Sequence, residues 1–364
     1  RHVSPRRAAR SGTDEPVPFG RLGPRRTRRS RSAWSLLASG RAAPAGREAS
    51  ANINAYPLRI GIHTSIAGSL DKAAAKAAEL GANTFQIFSA SPRMWAARPP
   101  RPEEIRRMRE ARQEFGLEPL VIHDNYLINL AAADETNRRK SIAAFRGELE
   151  RAIAIGAEYL VAHPGSHKGQ ALEEGIARIA DALEKAASGM AGDSLTLLLE
   201  NTAGSGAAVG SRFEELAEIR RQAAGRFPFE IGYCIDTAHC LAAGYDVATA
   251  NGLRATVAQL ERVLGLERVR VIHANDSKAP LGSRVDRHEH IGQGHIGEEG
   301  FRRILRHPGL RSKPFILETP IGREGDDIRN IEKLKELCRK SRTTTKKSSR
   351  SGKRPGKTRT STRL

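Results

Sequence analysis

The stretch Leu195–Gly204 reads Leu-Thr-Leu-Leu-Leu-Glu-Asn-Thr-Ala-Gly. Its apolar run has no polar alternation, which suits a strand buried on both faces, as in a parallel sheet. The run stops at a carboxylate, Glu200, and Asn-Thr-Ala-Gly then reads as loop. An acid at the end of a buried strand contributes nothing to a core; it builds a site.

Working outward, the same pattern recurs. Arg59–His63 ends in His63, Pro119–His123 in His123, Tyr159–His163 in His163, Ile231–Asp236 in Asp236, Val269–His273 in His273 and Phe315–Glu318 in Glu318. Thr84–Phe88 is a similar run without a metal-ligand type at its end. Between these strands lie helix-like segments at Ser69–Leu80, Pro102–Phe115, Asn137–Ile155, Ala171–Ala187, Arg212–Ala224, Leu253–Leu264, Glu298–Arg306 and Asp326–Lys340. Gly81, Gly116 and Gly156 follow three of them, as glycine commonly follows a helix. Alternating strands and helices over 58–338 predict a (β/α)8 TIM barrel, whose strand ends converge on one face where active sites sit. An open doubly wound sheet is the second choice, because it would spread the same residues along an edge.

The formal charge of +20 resolves into parts. Residues 1–57 hold 12 basic residues against 3 acidic, and residues 339–364 hold 11 basic and none acidic. The middle, 58–338, balances 38 against 38. Both ends are therefore read as basic, low-complexity, disordered extensions flanking one domain. A cationic tail favours nucleic acid or another anionic surface through salt-sensitive attraction. The chain opens on Arg1 and its first methionine is Met94, so its start is read as truncated or misplaced. An Arg/Ser-rich organellar leader is the minor alternative for residues 1–57. No apolar run approaches the roughly 20 residues of a membrane span, which predicts a soluble protein without a membrane partner. Three cysteines with no Cys-x-x-Cys pair predict neither a disulfide framework nor a thiolate metal site, and fit a reducing cytoplasm.

His123, His163, Glu200, Asp236, His239, His273, Asp286, His288 and Glu318 are nine candidate ligands at strand ends or in the loops beyond them. Imidazole with carboxylate suits zinc, and also manganese or iron. Nine ligands exceed the needs of one ion and suit two or three. His239 follows Asp236 by three residues in what reads as loop, and Asp286-Arg287-His288 would point two ligands the same way if extended. Several divalent ions at a barrel mouth favour hydrolysis at phosphorus.

These residues carry a resemblance. Gly61-Ile-His-Thr-Ser65, His123-Asp-Asn-Tyr-Leu-Ile-Asn-Leu130, His163-Pro-Gly-Ser-His167, Glu200-Asn-Thr-Ala-Gly204, Cys234-Ile-Asp-Thr-Ala-His239, His273-Ala-Asn-Asp276, Gly282-Ser-Arg-Val-Asp-Arg-His288 and Leu317-Glu-Thr319 are similar to the motifs of endonuclease IV. This is the zinc-dependent apurinic/apyrimidinic (AP) endonuclease family, also called deoxyribonuclease IV. The resemblance spans about Arg59 to Lys335 and implies three zinc ions per chain, with manganese in some positions. It implies His123, His163 and Glu200 on the first ion; Glu200, Asp236, His273 and Glu318 on the second, with Glu200 bridging; and His239, Asp286 and His288 on the third. It also implies cleavage 5′ to abasic sites in double-stranded DNA, leaving a 3′-hydroxyl, and removal of 3′-blocking groups. A hydroxide between the first two ions would attack, and the third would stabilise the leaving group. Flipping a nucleotide without a base is cheap, because there is no stacking to lose. Arg93, Tyr126 and Leu127 match the positions that fill the resulting gap. His63 and His167 are read as residues behind the ligands, and Lys278 and Arg284 as phosphate contacts. The expected protein is a monomer in the bacterial cytoplasm, associated with the nucleoid. The alternative is a metal-dependent sugar isomerase or epimerase of the xylose-isomerase-like barrels, which would need neither a third ion nor a DNA-filling loop.

Overall fold

The computed structural model describes residues 58–192 and 194–339. The expectations for residues 1–57 and for the tail beyond Arg339 lie outside the described residues. In chain order the elements are β1 (Ile60–His63), α1 (Leu70–Glu79), β2 (Thr84–Phe88), α2 (Pro102–Phe115), β3 (Leu120–His123), α3 (Glu135–Ile155), β4 (Tyr159–Ala162), α4 (Leu172–Ala186), β5 (Thr196–Glu200) and α5 (Phe213–Ala223). They continue with β6 (Glu230–Asp236), α6 (Thr237–Ala243), α7 (Ala250–Val263), β7 (Val269–His273), β8 (Asp276–Ser277), β9 (His288–Glu289), α8 (Gly297–Arg306), β10 (Phe315–Leu317) and α9 (Asp326–Cys338). β1–β7 and β10 pair in parallel and close on themselves through β1 and β10, giving the TIM barrel. No helix among the described residues is long and apolar enough to cross a membrane.

Two departures from the sequence expectations matter. The segment after Asp236 is the short helix α6 rather than loop. Asp236 caps it, its Oδ1 accepting from the His239 N–H at 2.8 Å, and this cap fixes the three-residue spacing between the two. The run from 276 to 289 is an antiparallel hairpin of two-residue strands, β8 and β9. Smaller shifts follow from caps: α3 starts at Glu135 because Asp134 accepts from the Asn137 N–H at 2.7 Å.

The core has two parts. Strand residues facing outward pack against the helices, among them Ile62, Phe85, Ile122, Leu160, Leu199 and Leu317. Inside the barrel Val121, Val161, Leu198, Cys234, Val271 and Ile316 form a separate, fully buried cluster. Strand side chains alternate with period two. Two residues further along the same six strands stand His123, His163, Glu200, Asp236, His273 and Glu318. The apolar floor and the ligands above it are therefore one pattern, set by one register. Gly61 belongs to that pattern, since a Cβ there would lie 2.2 Å from the Thr84 carbonyl oxygen.

Candidate metal centre

All nine candidate ligands meet at the mouth of the barrel. Glu200, fully buried, is the hub. Its Oε2 lies 3.1 Å from His123 Nε2 and 3.1 Å from His163 Nε2, and its Oε1 lies 2.9 Å from His273 Nδ1. Glu318 Oε2 is 3.2 Å from the same His273 nitrogen. Beside this group, His239 Nε2 lies 3.3 Å from Asp286 Oδ2, and His288 Nε2 lies 3.5 Å from Asp286 Oδ1 and 3.6 Å from Asp236 Oδ2. Asp236 thus stands between the second and third sets. His123, His163 and Glu200 form one group able to hold an ion, and Glu200, Asp236, His273 and Glu318 a second. Asp236, His239 and His288 form a third, with Asp286 at its half-exposed edge.

The second nitrogen of four histidines fixes what the first can do. His123 Nδ1 donates to the Asp124 carbonyl at 2.8 Å, His239 Nδ1 to that of Asn201 at 2.8 Å, and His288 Nδ1 to that of Glu318 at 3.2 Å. His273 Nε2 donates to Gln86 Oε1 at 2.8 Å, and the Gln86 amide is oriented because its Nε2 donates to Glu318 Oε1 at 2.6 Å. A carbonyl can only accept, so the proton of each neutral ring lies on the outer nitrogen. The inner nitrogen then presents a lone pair to a carboxylate, a contact that needs a proton or a cation between. His163 Nε2 and His288 Nε2 are buried without a hydrogen-bond partner, consistent with the same demand.

The electrostatics agree. Burial favours neutral His123, but the hydrogen bond and charge of Glu200 outweigh it and push the imidazole up to about 10. Burial likewise opposes charge on His239, yet Asp236, Asp286 and Glu200 hold it well above the usual range. Burial would raise Glu200, but His273, His163 and His123 hold its carboxyl well below the usual range. Glu318, also raised by burial, is brought down to about 2 chiefly by His273, and Asp286 to about 2 by His239. Without metal, protons on His123 and His239 stand where cations would. The donor set of imidazole and carboxylate fits zinc, with manganese as an alternative. Cys234 approaches Glu200 and His273, but burial and the carboxylates of Glu200, Glu318 and Asp236 push its thiol far up, and it belongs to the apolar floor.

Several supporting residues carry no strand-end signal. Gln86 lies in mid-strand and touches His273, Glu318 and His63 at once. Asn275 Nδ2 donates to Asp236 Oδ2 at 2.5 Å, and its Oδ1 accepts from the Glu318 N–H at 2.8 Å. The buried Asp276 carboxylate accepts from the N–H groups of Ser277, Gly292, Gly294, Ile296 and Gly297, folding the chain after His288 onto the hairpin. The 278–287 loop rests on α6, Gly282 and Arg284 donating to the Leu241 and Ala242 carbonyls at 2.9 Å each. Among residues expected behind the ligands, His63 reaches them through Gln86, and burial lowers it to about 4. His167 turns instead to its own loop, bonding the Gln170 carbonyl at 2.7 Å and packing on Gly175 of α4.

The rim loops carry exposed apolar side chains, Met94, Leu281, Val285 and Ile321 among them. Tyr126 is 65% exposed and meets Phe88 edge-on at 5.6 Å, and Phe88 packs on His63 at 4.4 Å. Leu127 is half-buried and Arg93 exposed. Lys278 pairs with Glu289 at 3.4 Å, and Arg284 is exposed with a left-handed backbone, φ 56°.

The sequence model of the xylose isomerase-like TIM barrel family matches residues 74–341. The chain is 60% identical over 281 residues to a probable endonuclease 4 of Solibacter usitatus, covering 77% of this chain and 97% of that one. It is 45% identical over 282 residues to a probable endonuclease 4 of Chloroflexus aurantiacus, with coverage of 77% and 98%. The crystal structure of endonuclease IV from Thermus thermophilus superposes with TM-score 0.67 at 42% identity, covering 77% of this chain and 98% of that one. A D-tagatose 3-epimerase-like protein matches at TM-score 0.58 with 21% identity, a likeness of fold alone. With nine ligand-type side chains gathered at one barrel mouth and these relatives covered almost end to end, the chain belongs to the endonuclease IV family.

Proposed function

We propose that the protein is a zinc-dependent AP endonuclease of DNA repair, hydrolysing the phosphodiester 5′ to abasic sites in duplex DNA and clearing blocked 3′ ends. The observation that carries this reading is the set of inward lone pairs converging on carboxylates around Glu200 and Asp286. Such a set suits more than one cation. His123, His163 and Glu200 would hold one zinc, Glu200, Asp236, His273 and Glu318 a second, and His239, Asp286 and His288 a third. When bound, the ions supply Lewis acidity, lowering the pKa of water and offsetting charge on the phosphate and the departing oxygen.

The chain's own residues do the rest. Gln86, Asn275 and the carbonyls behind the histidines hold the ligands in one tautomer and one orientation. The apolar floor keeps water from approaching through the barrel interior. Arg93, Tyr126 and Leu127, on loops at the rim, would enter the gap left by the flipped abasic nucleotide. The exposed Tyr126 ring, backed by Phe88, supports this role. A small-sugar isomerase would have no need of a DNA-filling loop.

The test is incision of a duplex oligonucleotide bearing one abasic-site analogue. Wild-type protein should cut 5′ to the site and lose that activity in chelator. Glu200→Gln should reduce it more than about a hundredfold, since removal even of a residue behind a metal ligand costs 10–100-fold. Absence of incision by folded, zinc-loaded wild type would overturn the reading.

A further inference from the structure

Helix α3 carries charge on the face it buries. Glu148 is 2% exposed and Arg151 is 7% exposed, although their neighbours on that face are Ala144, Phe145 and Ala152. Arg151 NH2 lies 2.9 Å from Glu148 Oε1. A buried ion pair contributes little net stability and often less than well-packed apolar residues, so stability alone does not account for it. What the pair touches does. Ser89, the first residue after β2, donates its hydroxyl proton to Glu148 Oε2 and accepts from Arg151 Nε at 2.7 Å. Asn125, the second residue after β3, donates from Nδ2 to Glu148 Oε1 at 3.4 Å. Its Oδ1 accepts from the Leu127 N–H at 3.0 Å, a tight turn that leaves Tyr126 at the apex and exposed. The first of these loops carries Arg93 and the second carries Tyr126 and Leu127.

Gly147 is the second sign of design around this pair. Glycine in mid-helix costs roughly 1 kcal/mol relative to alanine, yet a Cβ here would lie 2.8 Å from the Arg151 guanidinium. That guanidinium is held on both sides, so it cannot swing away at no cost.

We propose that Glu148 and Arg151 are positioning residues for damage recognition: a buried clamp on α3 that locks the roots of the two loops bearing Arg93 and Tyr126-Leu127 in one relative placement. The proposal rests on the AP endonuclease reading. The clamp touches none of the nine ligands. Its loss should therefore change recognition of the duplex and leave the metal chemistry intact.

The experiment compares wild type with Ser89→Ala and with the double variant Glu148→Met/Arg151→Met, which removes the pair without leaving one charge buried alone. Three quantities are read on zinc-loaded protein: binding of a fluorescent abasic duplex by anisotropy, hydrolysis of bis-para-nitrophenyl phosphate, and bound zinc. Duplex affinity should fall about tenfold in each variant, the scale of one hydrogen bond to a charged group. Small-phosphodiester hydrolysis and zinc content should stay within about twofold, because no ligand or its partner has been touched. Unchanged duplex affinity in both variants, or a parallel fall in all three quantities, would sink the clamp while wild-type incision still stands. Failure of wild type to incise the abasic duplex would instead remove the function reading, and the clamp's role in recognition with it.

Discussion

Replacing Gln86 with methionine, similar in size and unable to hydrogen-bond in the same way, tests the logic of the site most directly. Gln86 accepts from His273 Nε2 at 2.8 Å and donates to Glu318 Oε1 at 2.6 Å. The change leaves a fully buried imidazole N–H without its acceptor and frees His273 to put its proton on Nδ1, the nitrogen that faces Glu200 and Glu318. A hydrogen bond to a charged group is worth about 1.5–3 kcal/mol, and an orphaned buried donor costs about 1–3 kcal/mol. Part of this falls on folding and part on metal binding. Zinc affinity at the Glu200–Asp236–His273–Glu318 position should drop about 10–100-fold, the range seen when a residue behind a metal ligand is lost. Competition with a chromophoric chelator measures it, and incision should recover as free zinc is raised. Wild-type zinc affinity in Gln86→Met would refute the argument that the outer hydrogen bond selects the ligand tautomer.

Other outcomes follow from the same geometry. Gly61→Ala should destabilise the barrel by about 1–3 kcal/mol or more, because its Cβ must displace the Thr84 carbonyl; denaturant melts measure this, and an unchanged midpoint would contradict it. Asp276→Asn turns an acceptor of five backbone N–H groups into a partial donor and should cost about 3 kcal/mol, read in the same melts, with weaker metal retention at His288. Zinc affinity should rise with pH across the neutral range. His123, pushed up to about 10 in the metal-free protein, carries a proton there that a metal must displace, so the metal-free state binds more protons than the loaded one. Proton release to an indicator dye on zinc addition checks the sign, and pH-independent uptake would contradict it.

Most of the site was legible because strand periodicity and ligand chemistry coincide. Short apolar runs ending in His, Asp or Glu recur along the chain, and six of the seven such ends stand two residues beyond the buried cluster inside the barrel. The supporting residues were harder for physical reasons. Gln86 is a neutral amide in mid-strand, and nothing local distinguishes it from a satisfied core glutamine. α6 holds seven residues, too few for a helical period; only its caps mark it, Gly244 and Asp236, and Asp236 already read as a ligand. β8 and β9 have two residues each and no period at all. Glu148 and Arg151 sit among Ala144, Phe145 and Ala152, where charge in α3 reads as solvent-facing until the loops it grips are seen.

The apolar floor has a further consequence, for traffic. Six fully buried side chains close the barrel interior directly behind the ligands, so the cavity is a cul-de-sac. Ions, water and any phosphate must come and go through the same doorway, on the rim that bears Tyr126. Whatever seats across that doorway becomes its lid. Metal exchange should then be slowest while a duplex is bound, and a chelator added to the complex should act at the pace of DNA departure rather than at its own.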